Sequence, residues 1–106
     1  MKWKNVSDSR VTQIYQVVGE YDVWAHVFLP FTKFKVKIKE SNKGGFFGQV
    51  NVAFKSRVDG SPDWIAGFGN TPDEALEDTI NCFLNSVSEN ESLTEKDFEW
   101  ADPHDF

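Results

Sequence analysis

Two groups of side chains in this sequence are spaced to bind by charge. Lys33, Lys35, Lys37 and Lys39 alternate with Phe34, Val36 and Ile38. Joined by Lys55 and Arg57 from a facing strand, they would form a positive strip able to track a phosphate backbone. The same pattern also guards an exposed strand against edge-to-edge pairing. Residues 88–106 have the opposite character, with seven carboxylates against one lysine and with Leu93, Phe98, Trp100 and Phe106 spaced among the acids. The other 87 residues balance ten acids with ten Lys or Arg, so the whole formal charge of −6 sits in this tail. Acids interleaved with large apolar groups suit a basic, apolar surface, either a partner's or the chain's own lysine strip. Glu95, Asp97, Phe98, Glu99, Trp100 and Asp102 are the candidate contact residues.

Catalytic and metal chemistry find less support. His26 lies among apolar residues beside Trp24 and Phe28, where a core or half-buried histidine is expected, and His104 sits between Pro103 and Asp105. Neither has the orienting partner that a general base needs, and Cys82 has no accompanying base. Asp102, His104 and Asp105 would make a poorly supported metal site. Gly67-Phe68-Gly69 before a helix resembles a phosphate cradle, but Asp73 and Glu74 in the first turn would repel phosphate, and no Lys or Arg follows in the helix. We expect no enzyme, no metal and no cofactor.

The elements that position these groups follow from periodicity. Thr32–Glu40 alternates as a strand, Ser41-Asn42-Lys43-Gly44-Gly45 is a turn, and residues 46–57 alternate again. A five-residue loop sets Glu40 opposite Phe46, and Ile38, Val36 and Phe34 opposite Gly48, Val50 and Val52. The apolar sets then share one face, and the lysines, Gln49, Asn51, Lys55 and Arg57 share the other. Asp59-Gly60-Ser61-Pro62 is a second turn, and Trp64–Phe68 a third strand. Upstream, residues 10–31 read as a hairpin broken at Gly19-Glu20-Tyr21-Asp22, with a strand over Tyr21–Leu29. Val11, Ile14, Tyr15 and Val18 also carry helical spacing, so residues 10–18 fit a strand, which we favour, or a short helix. Thr71, Pro72 and Glu74 specify a helix start with a capping box, and Leu76, Ile80, Phe83, Leu84 and Val87 form its apolar stripe. Leu93–Ala101, behind a weaker capping pattern, would form a short helix.

The length of 106 residues fits one domain. The expected fold is α+β: an antiparallel sheet of three to five strands, one amphipathic helix over residues 72–87 packed on one face, and an acidic C-terminal tail. Residues 1–87 form the domain and 88–106 the tail. One cysteine excludes an internal disulfide and fits a reducing compartment. No signal peptide and no apolar run near the ~20 residues of a membrane span stand out, so the expected location is the cytoplasm, away from membranes.

Residues 33–87 resemble the N-terminal domain of HicB-type antitoxins and similar small phage or mobile-element domains. The likeness rests on the strand FKVKIKES, the glycine turn KGG, a second strand, and GFGNTPDEALEDTINCFLNSV with its G-x-T-P-x-E-A-L junction. The resemblance implies a non-enzymatic domain that binds and blocks a small basic ribonuclease toxin. In that family a separate C-terminal domain binds DNA. Nothing after Val87 is long or basic enough for that role, so promoter binding is not implied here. The expected function is therefore binding of a basic protein partner, with inhibition of a nucleic-acid-handling protein as its use. The alternatives are nucleic-acid binding by the lysine strip under an autoinhibitory tail, and assembly, including self-association, through a sheet edge.

Overall fold

The computed structural model describes residues 3–56, 58–88 and 93–106. After a 3-10 turn at Trp3–Asn5 come β1 (Tyr15–Trp24), β2 (Lys33–Ser41), β3 (Phe46–Val50), β4 (Val52–Lys55), β5 (Pro62–Asp63) and β6 (Ala66–Gly69). Helix α1 (Pro72–Ser88), a second 3-10 turn at Glu95–Asp97 and β7 (Phe98–Trp100) complete the order. The strands form two antiparallel sheets, β1-β2-β3-β6 and β5-β4-β7. The fold is α+β with one α-helix among the described residues, as expected, and a second, three-stranded sheet is added to it.

The β2–β3 hairpin has the expected register, with Glu40 opposite Phe46, Ile38 opposite Gly48 and Val36 opposite Val50. Its turn needs two residues in the left-handed region, and Gly44 (φ 96°) and Gly45 (φ 82°) supply them. The hairpin is one element shorter than the alternation suggests, because the strand divides at Asn51. There the side chain takes the place of a ladder carbonyl: Lys35 N–H donates to Asn51 Oδ1 (2.8 Å), and Asn51 N–H donates to the Lys35 carbonyl (3.0 Å). Val52 and the residues after it then leave for the second sheet.

Residues 10–31 are not a hairpin. One strand, β1, runs through the polar break and pairs along its length with β2, slipping register between Val17 and Gly19. A bulge absorbs the irregularity that resembled a turn. Residues 10–18 therefore contain strand from Tyr15, and Tyr21–Leu29 is strand only to Trp24. The third expected strand starts two residues later than predicted and ends one later, at Ala66–Gly69.

Helix α1 starts as its sequence dictates. Thr71 Oγ1 accepts the Glu74 N–H (3.1 Å), while the Glu74 carboxylate reaches back one residue further than expected, to the Asn70 N–H (2.9 Å). Its buried line is Ala75, Thr79, Phe83 and Val87, each at 0% exposure, with Leu76, Ile80 and Leu84 half-buried beside it. Phe83 meets Phe34 (ring centroids 4.8 Å) on the apolar face of the four-stranded sheet. The helix approaches this sheet closely over Gly48 and Gly67, where an added Cβ would collide with Thr79. The opposite face of the sheet carries the lysines and is open apart from Phe106, which lies against Lys37.

Leu93–Ala101 does not form the expected helix. One 3-10 turn leads into β7, whose Phe98 and Trp100 oppose Phe54 and Val52 of β4. Phe98 is 4% exposed and contacts Phe31 and Phe54 edge-on (5.0 and 5.6 Å) within the core.

Candidate functional site

The six candidate contact residues separate into four groups. Phe98 is buried and holds β7 to the core, so the folded chain cannot offer it to a partner. The Asp97 carboxylate accepts the Thr94 N–H (2.8 Å) and fixes the turn that enters β7. Glu95 is exposed beside a shallow depression formed by His26, Pro30 and Phe31. Glu99, Trp100 and Asp102 come together with Trp64, Asp105 and Phe106 around a cleft of about 430 Å³. The last three residues were not foreseen, since Trp64 reaches the cleft through β-sheet topology and Asp105 and Phe106 through a turn.

That turn begins where Ala101 N–H donates to the Asn51 carbonyl (2.8 Å), and closes where Asp105 N–H donates to the Asp102 carbonyl (2.8 Å). It carries Phe106 onto the open face of the four-stranded sheet. Lys37 lies over the Phe106 ring, 4.4 Å from its centroid, and its ammonium donates to the Phe106 carbonyl. The C-terminal segment thus touches the lysine strip through a ring and a carbonyl. Among the described residues, no side-chain carboxylate of the tail pairs with these lysines.

The cleft has aromatic walls and an acidic rim. Trp64 and Trp100 are each 46% exposed, and Trp100 is braced from behind by Phe31 (4.9 Å). Glu99, Asp102 and Asp105 line it, and among the described residues no Lys or Arg does. Ring faces and carboxylates both attract cations, and at half-exposed sites each ring contact adds about 0.5–1 kcal/mol. Its size falls in the range of about 300–1,000 Å³ typical of ligand pockets.

The lysine strip differs from expectation. Lys33 and Lys35 pair with Asp22 (3.8 Å) and Glu20 (3.5 Å) on β1, and Lys37 holds Phe106. Lys39 lies over Phe47 (5.8 Å), and its pKa is lowered by burial and by Lys37. Lys55 belongs to β4 in the other sheet, which removes it from the strip, and Arg57 lies outside the described residues. The open face also carries aromatics that the sequence did not reveal. Tyr15 meets Phe47 edge-on (4.8 Å), and Phe47 neighbours Phe68 (6.4 Å), forming a row across β1, β3 and β6.

The remaining candidates are satisfied locally. Phe68 N–H donates to the Asp78 carboxylate (2.8 Å), and the α1 cap uses its own side chains, as expected. His26 is exposed, which corrects its expected place in or near the core, because residues 25–32 form turns beyond the end of β1. The Cys82 thiol is pushed up by partial burial and by Asp78, opposite to the shift that activates a nucleophile. Asp102 accepts the His104 N–H (2.9 Å). Among the described residues, no three His, Cys, Asp or Glu side chains gather to hold a metal, and no helix is long and apolar enough to cross a membrane.

Together, these features define an α+β domain with two antiparallel sheets and an acid and aromatic cleft beside its last strand. No family model matches the sequence, and neither curated proteins nor solved structures show a match to it.

Proposed function

We propose that this chain is a non-enzymatic protein-binding module that receives basic side chains of a partner in the cleft between Trp64, Trp100 and Phe106. The observation that carries this reading is the convergence of Glu99, Asp102 and Asp105 with three aromatic rings around one concave site that, among the described residues, no lysine or arginine lines. A guanidinium or ammonium entering there would gain ring contacts and carboxylate pairing together. The resemblance of residues 33–87 to HicB-type antitoxin domains supports the same reading, since those domains block a basic ribonuclease. Inhibition of a nucleic-acid-handling partner would then follow from occupying surfaces that otherwise hold phosphates.

Deleting residues 88–106 is a poor test, because it would strip Phe98 from the core. The better test keeps the full chain and compares it with the triple variant Glu99→Gln, Asp102→Asn, Asp105→Asn and with Trp100→Ala. Titration with an arginine-rich peptide is expected to quench tryptophan fluorescence saturably, more weakly as salt rises. The triple variant should bind at least about tenfold more weakly, a loss of about 1.4 kcal/mol. Equal binding by the triple variant would overturn the proposal.

A further inference from the structure

The row of Tyr15, Phe47 and Phe68 at the hairpin end of the open face has no part in the cleft, and its surroundings have a different chemistry. Phe68 is 68% exposed and Tyr15 44%, on the two outer strands of the sheet, with Phe47 of β3 between them. The register sets Phe47 opposite both Lys39 and Phe68, so the rings and lysine share one side of the sheet. A groove of about 330 Å³ runs over the row and is bounded by the Lys43-Gly44-Gly45 turn and by Gln13, whose amide donates to Ser41 Oγ (2.9 Å). Neither Lys39 nor Lys43 forms an ion pair among the described residues. Among the described residues, no carboxylate lines this groove.

We propose that this groove binds single-stranded nucleic acid, stacking unpaired bases on Phe68 and Tyr15 while Lys39 and Lys43 contact the adjoining phosphates. The reading is independent of the cleft. Exposed rings in a row offer stacking surface to any base, and a neighbouring unpaired ammonium favours a ligand with negative charge. Apolar peptide segments would use the rings but leave both lysines unanswered. A duplex would present phosphates but keep its bases stacked on one another, away from the rings. Lys39 adds a further reason, since burial and Lys37 disfavour its charge, and a phosphate would relieve that cost. The net charge of −6 opposes binding at long range. At physiological salt, however, exposed charges beyond about 8 Å are largely screened, which leaves the local groups to decide.

The test uses the full chain and fluorescence anisotropy with a labelled oligothymidylate of about ten nucleotides, at several salt concentrations. The expected result is saturable binding whose logarithm falls with log salt at a slope of about 1.4, for two phosphates on a single strand. Phe68→Ala should weaken it by roughly 5- to 150-fold, the range for losing one stacked base. Lys39→Gln should weaken it and reduce the slope by about 0.7. Lys55→Gln, in the other sheet, should leave binding unchanged, and thermal melts should show each variant folded. The proposal is overturned if the wild-type chain fails to bind at low salt, or if Phe68→Ala binds normally. It is equally overturned if the duplex binds as tightly as the single strand, or if a thymidine mononucleotide competes as well as the oligomer, which would assign a small nucleotide pocket instead.

Discussion

Replacing Gly67 with alanine tests the contact that sets the distance between helix and sheet. A Cβ at Gly67 would come within 3 Å of the Thr79 backbone nitrogen and Cα as well as its Oγ1. Backbone cannot rotate away, so α1 must move off the sheet by roughly 1 Å to restore ordinary contact, loosening Phe83 and Val87 at once. Overpacking of this kind costs about 1–3 kcal/mol, and a backbone collision belongs at the upper end, about 3 kcal/mol. For a domain of this size that is a fall in Tm of roughly 12–24 °C. Gly48 provides the internal control. Its added Cβ would meet the Thr79 side chain first, Oγ1 and Cβ, with Ile38 Cδ1 at 2.9 Å. Thr79→Ala removes that hydroxyl, so Gly48→Ala and Thr79→Ala should couple favourably by at least about 1 kcal/mol. Gly67→Ala should be rescued much less, because its main collision is with backbone. Urea unfolding followed by tryptophan fluorescence would measure all five variants. A cost below about 0.5 kcal/mol for Gly67→Ala, or equal rescue at both glycines, would refute the reasoning.

Two further outcomes follow from the last strand and from the lysine strip. Phe98→Ala should cost about 3–5 kcal/mol in chemical denaturation by opening the core between Phe31 and Phe54, whereas Trp100→Ala, half-exposed at 46%, should cost distinctly less. A normal denaturation midpoint for Phe98→Ala would show that β7 does not close the core. For Lys39, the folded protein disfavours the protonated form, so the penalty is fully present below its lowered pKa and fades as pH rises through that value towards the ordinary lysine range. An NMR titration of the Lys39 side chain should show the low midpoint, and Lys37→Gln should move it upward; a midpoint indifferent to Lys37 would count against this account.

Local pattern carried much of the fold. The β2–β3 register and the bounds of α1 were legible because a two-residue alternation around Gly44-Gly45 and the Thr71-Pro72-Glu74 cap each admit one good solution. Residues 19–22 misled because Gly19 looked like a turn, yet Glu20 and Asp22 alternate with Tyr21 and Val23 as a strand requires. The two acids face the open side, where they meet Lys35 and Lys33. The tail misled for a related reason. Helical spacing and a capping pattern suggested a helix, while the i, i+2 pair Phe98 and Trp100 needed β4 as a partner, and that pairing is invisible locally. Of the candidate site, Glu99, Trp100 and Asp102 were legible from composition. Trp64 and Phe106, and the row of Tyr15, Phe47 and Phe68, were not, because only the sheet order brings them together.

Asn51 has a consequence for the order in which this protein matures on the ribosome. It ties β2 to the division between the sheets and later receives the Ala101 N–H, so its carbonyl waits for a segment fifty residues downstream. The hairpin and helix can assemble from residues already synthesised, but Val52 and Phe54 lack their β7 partners until residues 98–100 emerge. A nascent chain paused after α1 would present an apolar strand edge to its surroundings, a target for chaperones or for the same strand on a neighbouring ribosome.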